Sequence, residues 1–86
     1  MKCIVETKEV EGLESLLGQN VALWCGVYIY AGKLVGVNET CVKLTDAKVV
    51  YETGQLHAPA WKDAQPLPGD CWYVQVAAIE SFGAAK

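Results

Sequence analysis

The stretch Tyr28–Ala47, YIYAGKLVGVNETCVKLTDA, decides how the rest of the chain is read. Its first half steps through Tyr28, Tyr30, Gly32, Leu34 and Gly36, with Val35 and Val37 adding the β-branched content of a pleated, half-buried surface. Gly32 and Gly36 fall inside this run. A glycine within a strand pattern marks a bulge, a sharp bend or a close approach of backbones, so the strand is expected to curve strongly. Asn38, Glu39 and Thr40 interrupt the apolar residues. A second alternating run follows, with Val42 and Leu44 against Lys43 and Thr45. The pattern predicts a hairpin with a short polar tip, and a curved central strand of this kind is how a small sheet closes into a barrel.

Outward from the hairpin, Asn20–Gly26 alternates Val21, Leu23 and Cys25 with Ala22 and Trp24, and is predicted as the first strand. Val27–Val37 is the bent second strand, and the third runs from Cys41 to Tyr51. Cys71–Val76 is the fourth and Ile79–Phe82 a short fifth. Upstream, Glu11–Leu17 places Leu13, Leu16 and Leu17 on one helical face ahead of Gly18, predicting a two-turn amphipathic helix over about residues 12–17 that lies across an open barrel end. Residues 1–11 alternate but are densely charged, reading as an edge strand or a loose arm. The fold class expected is mainly β: a short N-terminal helix, then a five-stranded, strongly bent antiparallel sheet or small barrel, in one domain spanning residues 1–86.

Between Glu52 and Asp70 the composition changes. All three prolines (Pro59, Pro66, Pro68) lie there, with Gly54, Gly69, His57 and Trp61. The segment reads as a long connection with hairpin extensions at its edges, kept out of the sheet's middle by its prolines. Trp61 is read as a cover over the barrel, the alternative being an exposed contact, and His57 as a loop residue without catalytic partners.

Eighty-six residues, 52% of them hydrophobic, make one small domain whose apolar surface calls for cover from another subunit. Homo-oligomerisation is therefore expected. No apolar run reaches the ~18 residues of a membrane helix, and the N-terminus lacks the apolar stretch of a signal peptide. A cytoplasmic chain without membrane association is the simplest expectation. Cys3, Cys25, Cys41 and Cys71 form no CxxC pair and are read as small buried hydrophobes in reduced form. No nucleophile has a base beside it, so no enzyme activity, metal or cofactor is expected. The formal charge is −3, and all seven bases are lysine. Without arginine the chain lacks the side chain best suited to bidentate phosphate and base-edge contacts.

The order of elements, together with Gly32, Leu34, Val37, Asn38, Leu44, Asp46 and Ala47, resembles the Sm-like (LSm) superfamily. Those residues look like its first motif: glycine, x, leucine, two further residues, an apolar residue, an acidic turn residue, and later an apolar strand closing in Asp-Ala. The resemblance implies a cyclic homo-oligomer in which the fourth strand of one subunit pairs with the fifth of the next. It places Trp72, Val74, Val76, Ile79 and Phe82 at the subunit interface. It also implies binding of short, U-rich single-stranded RNA around the pore, with Asn38, Glu39 and Thr40 as the polar residues at the family's binding turn. Asn38 stands where the family has aspartate. The family's asparagine falls near Thr40 or Cys41, and its Arg-Gly pair near Ala77 and Ala78, so an amide and an arginine are missing. The alternative expectation is an oligomeric scaffold or protein-interaction module that keeps the ring and binds no RNA.

Overall fold

The structure, a computed structural model, describes residues 12–85. The alternating segment 1–11, with Cys3 and the first residue of the expected helix, lies outside the described residues.

Six antiparallel strands make the body: β1 (Asn20–Cys25), β2 (Tyr28–Val37), β3 (Cys41–Glu52), β4 (Asp63–Pro66), β5 (Cys71–Gln75) and β6 (Ile79–Ala84). They form one sheet in the order β4-β3-β2-β1-β6, and β5 pairs with β3 on the same edge as β4. The twelve-residue β3 thus serves two partners in turn, β5 along Cys41–Thr45 and β4 along Lys48–Glu52. The sheet does not close into a barrel. Among the described residues β4 and β5 each pair only with β3, and β6 only with β1, which leaves the outer edges of these three strands free.

The bend expected in β2 is present, as two breaks in the β2–β3 register, between Ala31 and Lys33 and between Leu34 and Gly36. At the first break the strands approach so closely that a Cβ on Gly32 would sit 3.0 Å from the Thr45 carbonyl oxygen and 3.1 Å from the Ala47 Cα. Both obstacles are backbone and cannot rotate away. On the β3 side the extra residue is taken up at Asp46, whose φ of 52° lies in the left-handed region that few non-glycine residues adopt.

Two expectations are corrected. The two-turn helix is a four-residue 3-10 turn, Leu13–Leu16, followed at once by extended backbone at Leu17. A helix confined between Gly12 and Gly18 has too few residues to offset its nucleation cost. The segment is held instead by β2: the Gly18 N–H donates to the Leu34 carbonyl at 2.7 Å and the Leu34 N–H to the Gln19 carbonyl at 2.9 Å. Leu13 and Leu16 still pack on the core. The second correction is the strand count. Asp63–Pro66, expected to be loop or hairpin extension, is a strand of its own, with Pro66 at its end on an outer edge, where a missing donor costs no ladder bond.

The core is one cluster, Val21, Leu23, Leu34, Val42, Leu44, Ala47 and Val74, contributed by the inward faces of β1, β2, β3 and β5. Ala22, Ala31 and Val50 are also buried, yet they point to the sheet's opposite face. That face is covered by the connection after β3: Leu56, Ala58 and Trp61 line a cleft with Ala22 and Trp24 of β1. Trp61 thus lies against the outer sheet face and not over a closed barrel. The Glu52 carboxylate and Lys62 ammonium, 3.2 Å apart, pinch the neck of this loop; both are well exposed and add little stability.

Candidate nucleic-acid interface

The polar tip of the β2–β3 hairpin is built around Asn38. Its side-chain Oδ1 accepts from the Thr40 N–H at 2.8 Å, the Cys41 N–H at 2.8 Å and the Thr40 hydroxyl at 3.1 Å. The Asn38 N–H in turn donates to the Cys41 carbonyl at 3.0 Å. This is an asparagine-closed turn, in which the side chain stands in for a backbone carbonyl. The carbonyl end of the amide is committed to the turn, and its NH2 end remains for a ligand. Asn38→Ala is expected to cost about 1 kcal/mol, since exposed turn bonds contribute modestly. A urea melt of the variant checks the figure.

The same turn is tied to the segment after β5 by a bond from the Val76 N–H to the Thr40 carbonyl at 2.9 Å. Two stretches 35 residues or more apart in sequence thus meet, and between them lies a cleft of about 580 Å³ lined by Glu39, Thr40, Cys41, Tyr73, Gln75 and Ala77. The Thr40 and Tyr73 hydroxyls and the Gln75 amide offer neutral hydrogen bonds there. The one formal charge that the described residues bring to the lining is the Glu39 carboxylate, which repels phosphate. Tyr73 and Gln75 were not among the residues singled out from the sequence. Their signal is the alternation of CWYVQ, which turns them away from the core side chains Trp72 and Val74.

The residues expected at a subunit interface divide. Val74 is 6% exposed and belongs to the core, so its side chain is corrected from interface to interior. Trp72, Val76 and Ile79 are half-buried against that core. Phe82 alone is substantially exposed, at 43%. What β5 and β6 present outward is chiefly their backbone. Tyr28 and Tyr30 lie with ring centroids 6.2 Å apart at 51° and line a groove of about 460 Å³ with Cys25 and Trp72. Tyr30 packs on the core, whereas Tyr28 is 54% exposed.

Cys25, Cys41 and Cys71 are free thiols and half-buried, less enclosed than their reading as core hydrophobes requires. Burial, and secondarily the Glu80 carboxylate, push the Cys25 thiol above its ordinary value. No group of three or more histidine, cysteine or acidic residues suited to a metal occurs among the described residues. None of their helices is long and apolar enough to cross a membrane. His57 is exposed in the connection and lines the cleft with Trp24 and Trp61.

Compared with models of known protein families, with curated proteins and with solved structures, the chain matches none.

Proposed function

We propose that this chain is a ring-forming, Sm-like homo-oligomer that binds single-stranded RNA at the surface made by the Asn38–Thr40 turn and Ala77. The observation that carries the reading is the meeting of those two stretches across the Val76–Thr40 backbone bond. In the Sm-like family the RNA site is assembled from the turn after the bent second strand and the segment before the last strand. The two segments that correspond here are far apart in sequence and adjacent in space.

The free edges support the assembly half of the proposal. Among the described residues β5 and β6 each leave a row of unpaired backbone groups, a liability that a closed ring removes by pairing every β5 with a neighbour's β6. The same reading keeps the chain in the cytoplasm, where its cysteines stay reduced.

A second reading has its own support. Among the described residues Glu39 is the only charged one lining the turn cleft, and the chain has no arginine to replace the family's phosphate-binding one. A scaffold ring that holds protein and no RNA is consistent with both facts.

Native mass spectrometry of protein purified in gentle salt without nuclease separates the readings. A closed oligomer with extra mass removable by ribonuclease is the expected result. A closed oligomer with no such mass favours the scaffold, and a monomer at micromolar concentration rejects both.

A further inference from the structure

The turn cleft is acidic, so a nucleic acid held there needs cations from somewhere else in the molecule. The described residues include four lysines, and two of them share one exposed sheet face. In an antiparallel ladder, residues directly opposite one another lie on the same face. Lys33 of β2 is opposite Thr45 of β3, which is opposite Cys71 of β5. One row on, Gly36 is opposite Lys43, which is opposite Tyr73; the next outward position pairs Cys41 with Gln75. Leu34, Leu44 and Val74 point the other way, into the core. Lys33, Lys43, Tyr73 and Gln75 are all exposed.

No acidic residue occupies these rows. Glu39 and Asp70 stand at the two ends, and Asp46 sits on the bulge beside Thr45. The one ion pair among the described residues joins Lys62 to Glu52 on the distant loop, so neither Lys33 nor Lys43 is neutralised by a neighbouring carboxylate. Lys33 and Lys43 lie one strand and two residues apart, a diagonal of about 8 Å from ordinary strand spacings. Tyr73, 58% exposed, stands directly across from Lys43 on β5 and lines the turn cleft at the same time.

We infer that this outward β2–β3–β5 face is a second binding surface for single-stranded nucleic acid, with Lys33 and Lys43 on successive phosphates and Tyr73 stacking a base. The inference rests on the nucleic-acid reading above and moves its electrostatic part away from the turn. Cations with an interleaved aromatic ring are what sequence-tolerant strand binding requires, because every base has a face to stack and every nucleotide a charge to meet. Pairing along the outer edge of β5 uses backbone groups and leaves this face open.

The test is fluorescence anisotropy of a labelled 12-nucleotide oligo-U against the intact oligomer at low salt. K33E/K43E is expected to weaken binding about tenfold or more. K33Q/K43Q is expected to flatten the slope of log K against log salt by about 1.4, at ~0.7 per phosphate contact. Tyr73→Leu is expected to weaken binding several-fold at unchanged salt slope. Both lysines are exposed, so the glutamine pair keeps the test valid if the charge reversal disturbs folding. Full retention of binding in the lysine variants, with loss in N38A/T40A, overturns this inference and leaves the turn site standing. Equal competition by poly-glutamate, with no effect of Tyr73→Leu, also overturns it, as a face that merely collects anions. Absence of any binding by the wild-type oligomer overturns both readings.

Discussion

Leu44→Ala is expected to destabilise the fold by about 2–5 kcal/mol, the range for a leucine removed from a packed core. Leu44 is 0% exposed and lies where three strands meet, opposite Leu34 on β2 and Trp72 on β5. Leu34 and Val42 are equally enclosed, so the space left behind has rigid strand backbone on both sides and little freedom to collapse. A domain of this size has a total stability of order 5–15 kcal/mol, so the loss takes a large share of it. Each kcal/mol lowers the melting temperature of such a domain by about 4–8 °C. Thermal melts at matched protein concentration check this. Val35→Ala, at a position 41% exposed on the neighbouring strand, is expected to shift stability by no more than about 0.5 kcal/mol. Equal losses for the two variants defeat the assignment of the core.

The region around Leu44 is also where the sequence is most readable, and the reasons are physical. Gly32 marks the first break in the bend because a Cβ there would press on the Thr45 and Ala47 backbone, whereas at Gly36 the nearest neighbour is the Lys43 Cβ at 3.4 Å. Asn38 marks the turn because its side chain closes it. Alternation along Val42–Leu44 fixes which face of β3 is buried. Where those local causes are absent, the reading fails. Asp63–Pro66 carries no β-branched residue and ends in proline, so nothing local reports that Lys48–Glu52 will take it as a partner. The turn at Leu13–Leu16 has the spacing of a helix but only glycine-bounded length. Along CWYVQ the alternation separates Trp72 and Val74 from Tyr73 and Gln75, but nearly every side chain is apolar or aromatic, so the pattern does not report which of the two faces is buried. The candidate site shows the same division. Its turn is written in one contiguous stretch, while the lysine face exists only once the β2–β3–β5 register is known.

That register also determines how the free edges are to be tested. In a β-ladder successive N–H groups point to alternate sides. The Val76 N–H reaches back to Thr40, so the Gln75 N–H points out from β5, away from β3. Gln75 has φ −72°, which a proline ring matches without strain. Gln75→Pro is therefore expected to delete an outward donor while preserving the internal sheet. At the other end the Ala85 N–H donates to the Asn20 carbonyl, so the Ala84 N–H points out from β6, and Ala84→Pro blocks that edge. If β5 of one copy pairs with β6 of the next, each variant alone is expected to lose the closed oligomer and run as a monomer. Mixing the two is expected to give dimers and nothing larger, because Ala84→Pro retains an intact β5 and Gln75→Pro an intact β6. An isologous arrangement, β5 on β5 or β6 on β6, gives a different outcome: one of the two variants alone keeps the wild-type size. Size-exclusion chromatography with light scattering reads the result, and circular dichroism of each variant confirms that the strands remain. A wild-type-sized Gln75→Pro rules out β5 as an assembly edge, and with it the head-to-tail ring.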